Sequence, residues 1–379
     1  MKNKLLGGLS PAQFMRRHWQ VQPLLAREAV TGADTLVSRD ELLRLATLPE
    51  VESRLVLHRG GRWQLRHGPF RRADLQRLPK RNWTLLVQGV DLWLPRGREL
   101  LDRFDFIPHA RLDDLMVSWA APGGGVGPHF DSYDVFLLQG DGRRRWQVSR
   151  QRDLELDADA PLKILRHFRP QQEWVVKAGD LLYLPPRYAH DGVALEDCLT
   201  LSIGFRAPTA QDLCSRFLDF LQERLDTNEI YADPGLRATR QAGRIPATMG
   251  AGLIRMLRHL QAPREELLRF VGEELSSPKP QVVFHAPSPA LGAARFGRRA
   301  AACGVELDAS TILLYDEKSF YVNGERVRVS APARRWLRLL ADRRRSQPGR
   351  VPAAAETLLY EWYRTGYLRP VDCAAPESR

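Results

Sequence analysis

His129 and Asp131 stand two residues apart in "GPHFDSYDVF", and His190 closes the run "GDLLYLPPRYAH". Two imidazoles and a carboxylate make a donor set for one divalent metal. Residues i and i+2 of a strand project from the same face, so His129 and Asp131 can reach a single ion. His190 comes 59 residues after Asp131, at the end of another β run. In a jelly roll, strands far apart in sequence become neighbours. Such a set leaves three octahedral positions open and suits non-haem Fe(II). An isolated His-x-Asp pair also arises by chance on any polar strand surface. Local context favours the metal: the glycines of "PGGGVGP" allow close backbone approach just before His129, and a Pro-Pro turn delivers His190.

The same stretch continues into "QGDGRRRWQV", read as strand, tight turn, strand. Counting by two, Arg144, Trp146 and Val148 share one face, and Arg143, Arg145 and Gln147 share the other. The face with Trp and Val is the interior one, so Arg144 points inward and its two neighbours face solvent. A buried guanidinium needs a partner. Either a fixed Asp or Glu supplies it, or a carboxylate ligand arrives from outside and takes the bidentate fork. Ser118, in the strand "LMVSWA", could add a hydroxyl to that carboxylate; a strand serine is also often only a packed small residue.

The elements that must hold these residues are short β runs broken by Gly, Pro and Asp between about residues 96 and 207, the pattern of an antiparallel barrel or jelly roll. Before residue 95, helix-like and strand-like pieces mix, beginning with "SPAQFMRRHWQ", where Ser10 is the N-cap and Pro11 the first helical residue. After Pro208 the pattern turns helical: Leu213, Phe217, Leu221 and Leu225 recur every four residues with Leu218 beside them. "SSPKPQ" reads as a linker, and the tail mixes helices with a hairpin around "NGE", as in a winged-helix-like domain. The expected organisation is α+β. It has N-terminal elements at 1–95, a distorted double-stranded β-helix at 96–207, a helical region at 208–280 and a winged-helix-like domain at 281–379.

Composition narrows the class. With 379 residues, 44% of them hydrophobic, the chain is globular and multidomain. No apolar run approaches the roughly 18–20 residues that cross a bilayer, and the N-terminus lacks a signal-peptide pattern, so a cytoplasmic location is expected. Four scattered cysteines without a CxxC pair argue against a zinc site or a disulfide framework. The net charge of +12 points toward nucleic acid or a nucleic-acid-rich particle, although only seven lysines occur and such an arginine skew also follows genome base composition.

At "PGGGVGPHFDSYDVFLLQGDGRRRWQV", "GDLLYLPPRYAHDG" and "SIGFRAP" the chain resembles the JmjC-type 2-oxoglutarate oxygenases. It is most similar there to the bacterial ribosomal oxygenases that hydroxylate C3 of an arginine in 50S ribosomal protein L16. "FMRRHWQVQPLL" and "SFYVNGE" extend the likeness along nearly the whole chain. The resemblance implies His129, Asp131 and His190 as Fe(II) ligands, Arg144 on the distal carboxylate of 2-oxoglutarate, and Ser118 assisting. It also implies O2 as co-substrate, succinate and CO2 as products, a helical dimerisation region giving a homodimer, and a ribosomal protein as the substrate partner. Direct DNA binding by the winged-helix-like tail is not expected. A basic ribosomal substrate calls for acidic surface near the site, with Asp113, Asp114, Asp134 and Asp141 as candidates. The alternatives are a histidine hydroxylase of another ribosomal protein, a cupin metalloenzyme that uses no 2-oxoglutarate, and a non-catalytic RNA- or ribosome-binding module.

Overall fold

Ser10 starts the first helix, α1 (Pro11–Arg17), by a reciprocal cap: its hydroxyl accepts from the Gln13 amide while the Gln13 side chain returns to the Ser10 amide. Pro11 occupies the first helical position, where no N–H is needed. The computed structural model describes residues 4–372. They fall into two compact units: one holds the residues up to Ala207 together with Asp308–Ser310, the other Pro208–Leu307 and the chain from Thr311 onward.

The first unit continues with β1 (Leu24–Ala26), α2 (Arg39–Leu45), β2 (Ser53–Arg59), β3 (Arg62–His67), α3 (Arg72–Gln76), β4 (Trp83–Val87) and α4 (Pro95–Leu101). Then follow β5 (Leu112–Ala120), β6 (Val135–Asp141), β7 (Arg143–Ser149), β8 (Gln172–Lys177), β9 (Leu181–Leu184), β10 (Ala189–Ala194) and β11 (Cys198–Phe205). Eight strands make the larger sheet, in the order β1-β9-β6-β11-β5-β4-β2-β3, and β10-β7-β8 make the smaller one. Every pairing is antiparallel. The strands before residue 95 therefore lie at the flanks of the larger sheet, β1 at one edge and β2–β4 at the other.

Alternation along the strands separates two faces. Leu115, Val117 and Trp119 of β5 and Leu199, Leu201 and Ile203 of β11 join the main core, which the N-terminal helices cover. Their neighbours turn the other way. Val135 and Leu137 of β6 and Leu182 and Leu184 of β9 meet Trp146 and Val148 of β7 and Val176 of β8 across the gap between the two sheets. That gap is the interior of a jelly roll.

On the covered face, Phe14, Phe136 and Tyr183 pack in tilted and edge-to-face pairs, with centroids 4.8–5.4 Å apart, and a carboxylate meets the Tyr183 hydroxyl. Fully buried Asp134 accepts from the Tyr183 hydroxyl at 2.6 Å, the Gln20 amide at 2.9 Å and Arg111 at 3.1 Å. Asp134 was a candidate for acidic surface beside the site; it is committed to the core instead.

The second unit comprises α5 (Ala210–Gln222), α6 (Ala247–Met256), α7 (Arg264–Ser276), α8 (Ala293–Cys303), β12 (Val305–Leu307), β13 (Leu313–Tyr315), β14 (Phe320–Val322), β15 (Glu325–Val327), α9 (Ala331–Arg343), α10 (Ala353–Thr365) and β16 (Leu368–Pro370). Asn323 and Gly324, both with positive φ, turn β14 into β15, as the "NGE" reading expects of a two-residue hairpin. Phe296, Leu337, Leu340, Leu359 and Trp362 centre its core. Cys214 is exposed, and Cys303 is disulfide-bonded, although the scattered cysteines argued against a disulfide framework. Among the described residues no helix is long and apolar enough to cross a membrane.

Removing the Asp134 carboxylate strands a buried hydroxyl and a half-buried guanidinium, a loss of about 3 kcal/mol. Asp134→Ala should therefore unfold at clearly lower urea than the parent; equal midpoints would show the network to be dispensable.

Candidate functional site

The site begins with two backbone hydrogen bonds. The His129 amide donates to the His190 carbonyl at 2.9 Å, and the His190 amide returns to the His129 carbonyl at 2.8 Å. The Arg187 amide donates to the Asp131 carbonyl at 2.7 Å. These bonds fasten the segment carrying His129 and Asp131 along β10 and its lead-in. Glycine makes the approach possible: a Cβ on Gly125 would lie 2.6 Å from the Gly192 carbonyl oxygen, and Gly127 holds φ at +80°, the left-handed region that glycine adopts freely.

Through this strap the donor atoms of His129, Asp131 and His190 come within 4.8 Å of one another, the one such convergence of three His, Cys, Asp or Glu side chains among the described residues. His190 Nε2 lies 3.7 Å from Asp131 Oδ2. An ion with bonds of about 2.0–2.2 Å reaches both. The Nδ1 atoms of His129 and His190 face the carbonyls of Gly127 and Tyr188, each at 2.9 Å. A carbonyl only accepts, so Nδ1 carries the proton and Nε2 presents its lone pair. Burial, then the neighbouring His129, lowers the His190 pKa to about 4, which keeps the ring in the neutral form a metal needs. The donor set thus fits an imidazole- and carboxylate-bound ion.

The register of the smaller sheet places Arg144. Val148 lies opposite His190, Trp146 opposite Gly192 and Arg144 opposite Ala194, so all three side chains share the inner face of β7. Arg143 is exposed and pairs with Glu196 at 3.0 Å. Arg145 is half-buried rather than fully solvent-facing, and its Nε is buried without a partner. Arg144 is 4% exposed. It meets no carboxylate within 4 Å: its contacts are Cys198 Sγ at 3.7 Å and the Trp146 ring at 5.6 Å, and its Nε has no hydrogen-bond partner. A fixed Asp or Glu partner, one of the two expectations for this residue, is absent from the described structure.

Ser118 is buried on β5, opposite Thr200 of β11 and Leu86 of β4. Alternation sets it on the inner face, with Ala120 and Thr200. Thr200 donates to Gln139 at 3.0 Å, and Gln139 donates to the Asp141 carbonyl. This buried polar pair was not anticipated: Gln139 opens the "QGDGRRRWQV" stretch but Thr200 lies outside every motif, and only the β6–β11 pairing reveals that they face inward together.

Of the four acidic candidates, Asp141 is exposed at the β6–β7 turn. Asp113 and Asp114 matter to the site. Burial, then the charges of Asp131, Asp114 and Asp113, pushes the Tyr133 hydroxyl above its ordinary range. Asp113 is half-buried and pairs with Arg206 at 3.5 Å. Asp114 is itself held by the Gly89 amide at 3.0 Å.

Gly192 is where β10 passes under Trp146, and any Cβ there would collide with the indole ring. Gly192→Val should displace Trp146 from between Arg144 and Val148 and lower stability by about 1–3 kcal/mol. Thermal unfolding followed by near-ultraviolet circular dichroism tests this, and an unchanged melt with an unchanged tryptophan signal would contradict it.

Comparison with known proteins follows the same division of the chain. Residues 99–213 match the JmjC domain model, and residues 256–369 match the ROXA-like winged helix. The Escherichia coli ribosomal protein uL16 3-hydroxylase is 38% identical over 280 residues, 73% of this chain and 74% of that protein. A probable ribosomal oxygenase of Haemophilus influenzae is 39% identical over 210 residues, 54% of this chain and 52% of that one. The X-ray structure of E. coli YcfD superposes with a TM-score of 0.83 at 32% identity, covering 95% of this chain and 98% of that one. A second YcfD structure, in complex with cobalt and 2-oxoglutarate, gives a TM-score of 0.80 at the same identity and coverage. The chain belongs to the JmjC-type ribosomal oxygenase family.

Proposed function

We propose that this member of the ribosomal oxygenase family is an Fe(II)- and 2-oxoglutarate-dependent hydroxylase of an arginine side chain in a ribosomal protein, with L16 as the substrate and C3 as the position. The observation that carries the reading is a pairing on one inner surface: a convergent His129, Asp131 and His190 set, and a buried Arg144 with no carboxylate of its own. A metalloenzyme without an acidic co-substrate has no use for the second feature. The relative that acts on uL16 and the related structure holding cobalt with 2-oxoglutarate support the same choice.

His129 and His190 would hold iron through Nε2, and Asp131 through its carboxylate. The bound metal with 2-oxoglutarate and O2 supplies the oxidising power to hydroxylate an unactivated C–H bond, releasing succinate and CO2. The protein's own groups bind, orient and exclude water. Arg144 takes the distal carboxylate through its planar fork, a contact strengthened by low-dielectric surroundings. Ser118, on the facing sheet, adds a hydroxyl to the same carboxylate. Val148 marks the metal end of the site: it faces His190 four residues along β7 from Arg144, about 13 Å at the strand's rise, a span suited to a short dicarboxylate between two side chains. Trp146, Val148, Leu137 and Val176 keep the interior apolar. Asp131, Asp113 and Asp114 all act on the Tyr133 hydroxyl, and these acidic surroundings would favour an incoming guanidinium.

In the second unit, α5 to α7 form the proposed dimerisation region, residues 208–280. Leu218, Ile254 and Leu257 are each more than 60% exposed, an apolar surface that a second copy would cover. The boundaries 1–95, 96–207 and 281–379 are retained for the other segments. The protein is placed in the cytoplasm, where its substrate is made, and direct DNA binding is not assigned to the winged helix.

Four outcomes follow. Incubation with Fe(II), 2-oxoglutarate, ascorbate and L16 should add one oxygen atom to an arginine-containing peptide, seen by tandem mass spectrometry, and release succinate; a modified histidine peptide would favour the other ribosomal reading. His129→Ala should lose Co(II) binding by calorimetry. Arg144→Ala should keep Co(II) binding while the KM for 2-oxoglutarate rises steeply, because losing a buried charged contact costs about 2–5 kcal/mol; an unchanged KM removes Arg144 from the co-substrate site. Leu218→Glu with Ile254→Glu should convert a dimer to a monomer in light scattering, and a monomeric parent would refute the assembly.

A further inference from the structure

Residues 281–379 hold sixteen Lys and Arg against ten Asp and Glu, half of the chain's net +12 in about a quarter of its length. The stretch from Ala331 to Arg350 alone carries seven arginines and one acid. Several of these have structural duties. Arg344 donates to the Thr311 carbonyl and Arg334 to the Lys318 carbonyl. Arg299 pairs with Asp372 and Arg369 with Glu306.

Eight arginines have none among the described residues: Arg328, Arg335, Arg364 and five that the fold brings near one another. Arg295, Arg298, Arg343, Arg345 and Arg350 are all exposed, and no ion pair or hydrogen bond engages their side chains among the described residues. The backbone gathers them. α8 buries Phe296, Ala300 and Cys303, which leaves Arg295 and Arg298 together on an outer flank. The Gly349 amide donates to the Ala301 carbonyl, which sets Arg350 against the turn of α8 that Arg298 begins. Arg345 bridges to Glu306 of β12, directly after α8, and the Ser346 amide donates to the Val305 carbonyl. Arg343 ends α9 just before this loop. The nearby acids are engaged: Glu306 by Arg369, and Asp342 by the Tyr315 hydroxyl.

Like charges at this density repel one another. Guanidinium forks match phosphate oxygens bidentately. We infer that the flank of α8 and the 343–350 loop form a docking surface for the phosphate backbone of duplex RNA. The choice of RNA over other polyanions rests on the ribosomal-protein substrate proposed above, because the polyanion that accompanies such a protein is ribosomal RNA. Contacts of this kind position a backbone and read no sequence.

Fluorescence anisotropy with the full-length protein and a duplex RNA hairpin, at several salt concentrations, tests the inference. The parent should bind with a strong salt dependence. Arg298→Gln, Arg345→Gln and Arg350→Gln together should weaken binding by about tenfold or more and flatten the salt slope by roughly 0.9 per lost phosphate contact. Single Arg345→Gln and Arg350→Gln proteins should each show a smaller loss, which covers a folding failure of the triple variant. Polyglutamate of equal charge should bind more weakly than the RNA. RNA affinity indifferent to these substitutions, or a preference for polyglutamate, overturns the docking surface. Turnover of isolated L16 should be unchanged in the variants, so a failure of RNA binding and a failure of the hydroxylase reading are separately visible.

Discussion

Two reciprocal hydrogen bonds between the main chains of His129 and His190 are the constraint on which the rest of the site depends. Side-chain donors converge on one point only if the backbones bearing them are fixed to a fraction of an ångström. Here the backbone bonds do that work, at 2.8 and 2.9 Å, with a third from Arg187 to Asp131. Each ring is then fixed again by its own Nδ1 on a nearby carbonyl. Position comes from the strap, and tautomer from the carbonyl. The strap in turn needs Gly125 and Gly192, because any larger residue at Gly125 would drive the two chains apart.

The interior between the sheets divides into an apolar part and a polar strip. Val135, Leu137, Val148, Val176, Leu182 and Leu184 pack as an ordinary core. Around them stand His190, Arg144, Ser118, Thr200 and Gln139, all buried. Thr200 donates to Gln139, which in turn donates to the Asp141 carbonyl. Arg144 does not find an equivalent, and a buried guanidinium with an unbonded Nε destabilises the fold that contains it. Such a cost persists where function requires it. The contrast with Asp134 shows the difference. Asp134 is as deeply buried, on the opposite side of the larger sheet, and receives three donors from its own fold. One buried charge is satisfied by its own fold; the other meets no carboxylate within 4 Å among the described residues.

What was legible in the sequence follows from how local each signal is. The α1 cap, the Asn323–Gly324 turn and the inward face of Arg144 depend on neighbours within a few residues, and each can be read by counting. His190 needed a longer step, from a β run to a jelly roll, and "PHFD" with "YAHDG" carried enough context for it. Thr200 and Gln139 were out of reach because their meeting is a matter of register between β11 and β6, which no local pattern encodes. The acidic candidates failed for a related reason. Asp113, Asp114, Asp134 and Asp141 look alike in sequence, and only packing separates a core carboxylate from one beside the cluster. Arg145 was expected in solvent by strand parity, yet its Nε is buried: parity gives the face of a strand, not what covers that face.

Net charge is the weakest guide of all, and the site explains why. A chain of +12 would repel a basic substrate if charge acted as a sum. It does not: between exposed charges, interactions fade beyond a Debye length of about 8 Å at physiological salt. What an incoming guanidinium would meet at the cluster is Asp131 and half-buried Asp113, whose charges add to burial in raising the Tyr133 pKa. What a phosphate meets at α8 is five arginines without counter-charges. Opposite local fields can therefore coexist on one basic chain, each selecting its own ligand, and the sign of the total decides neither.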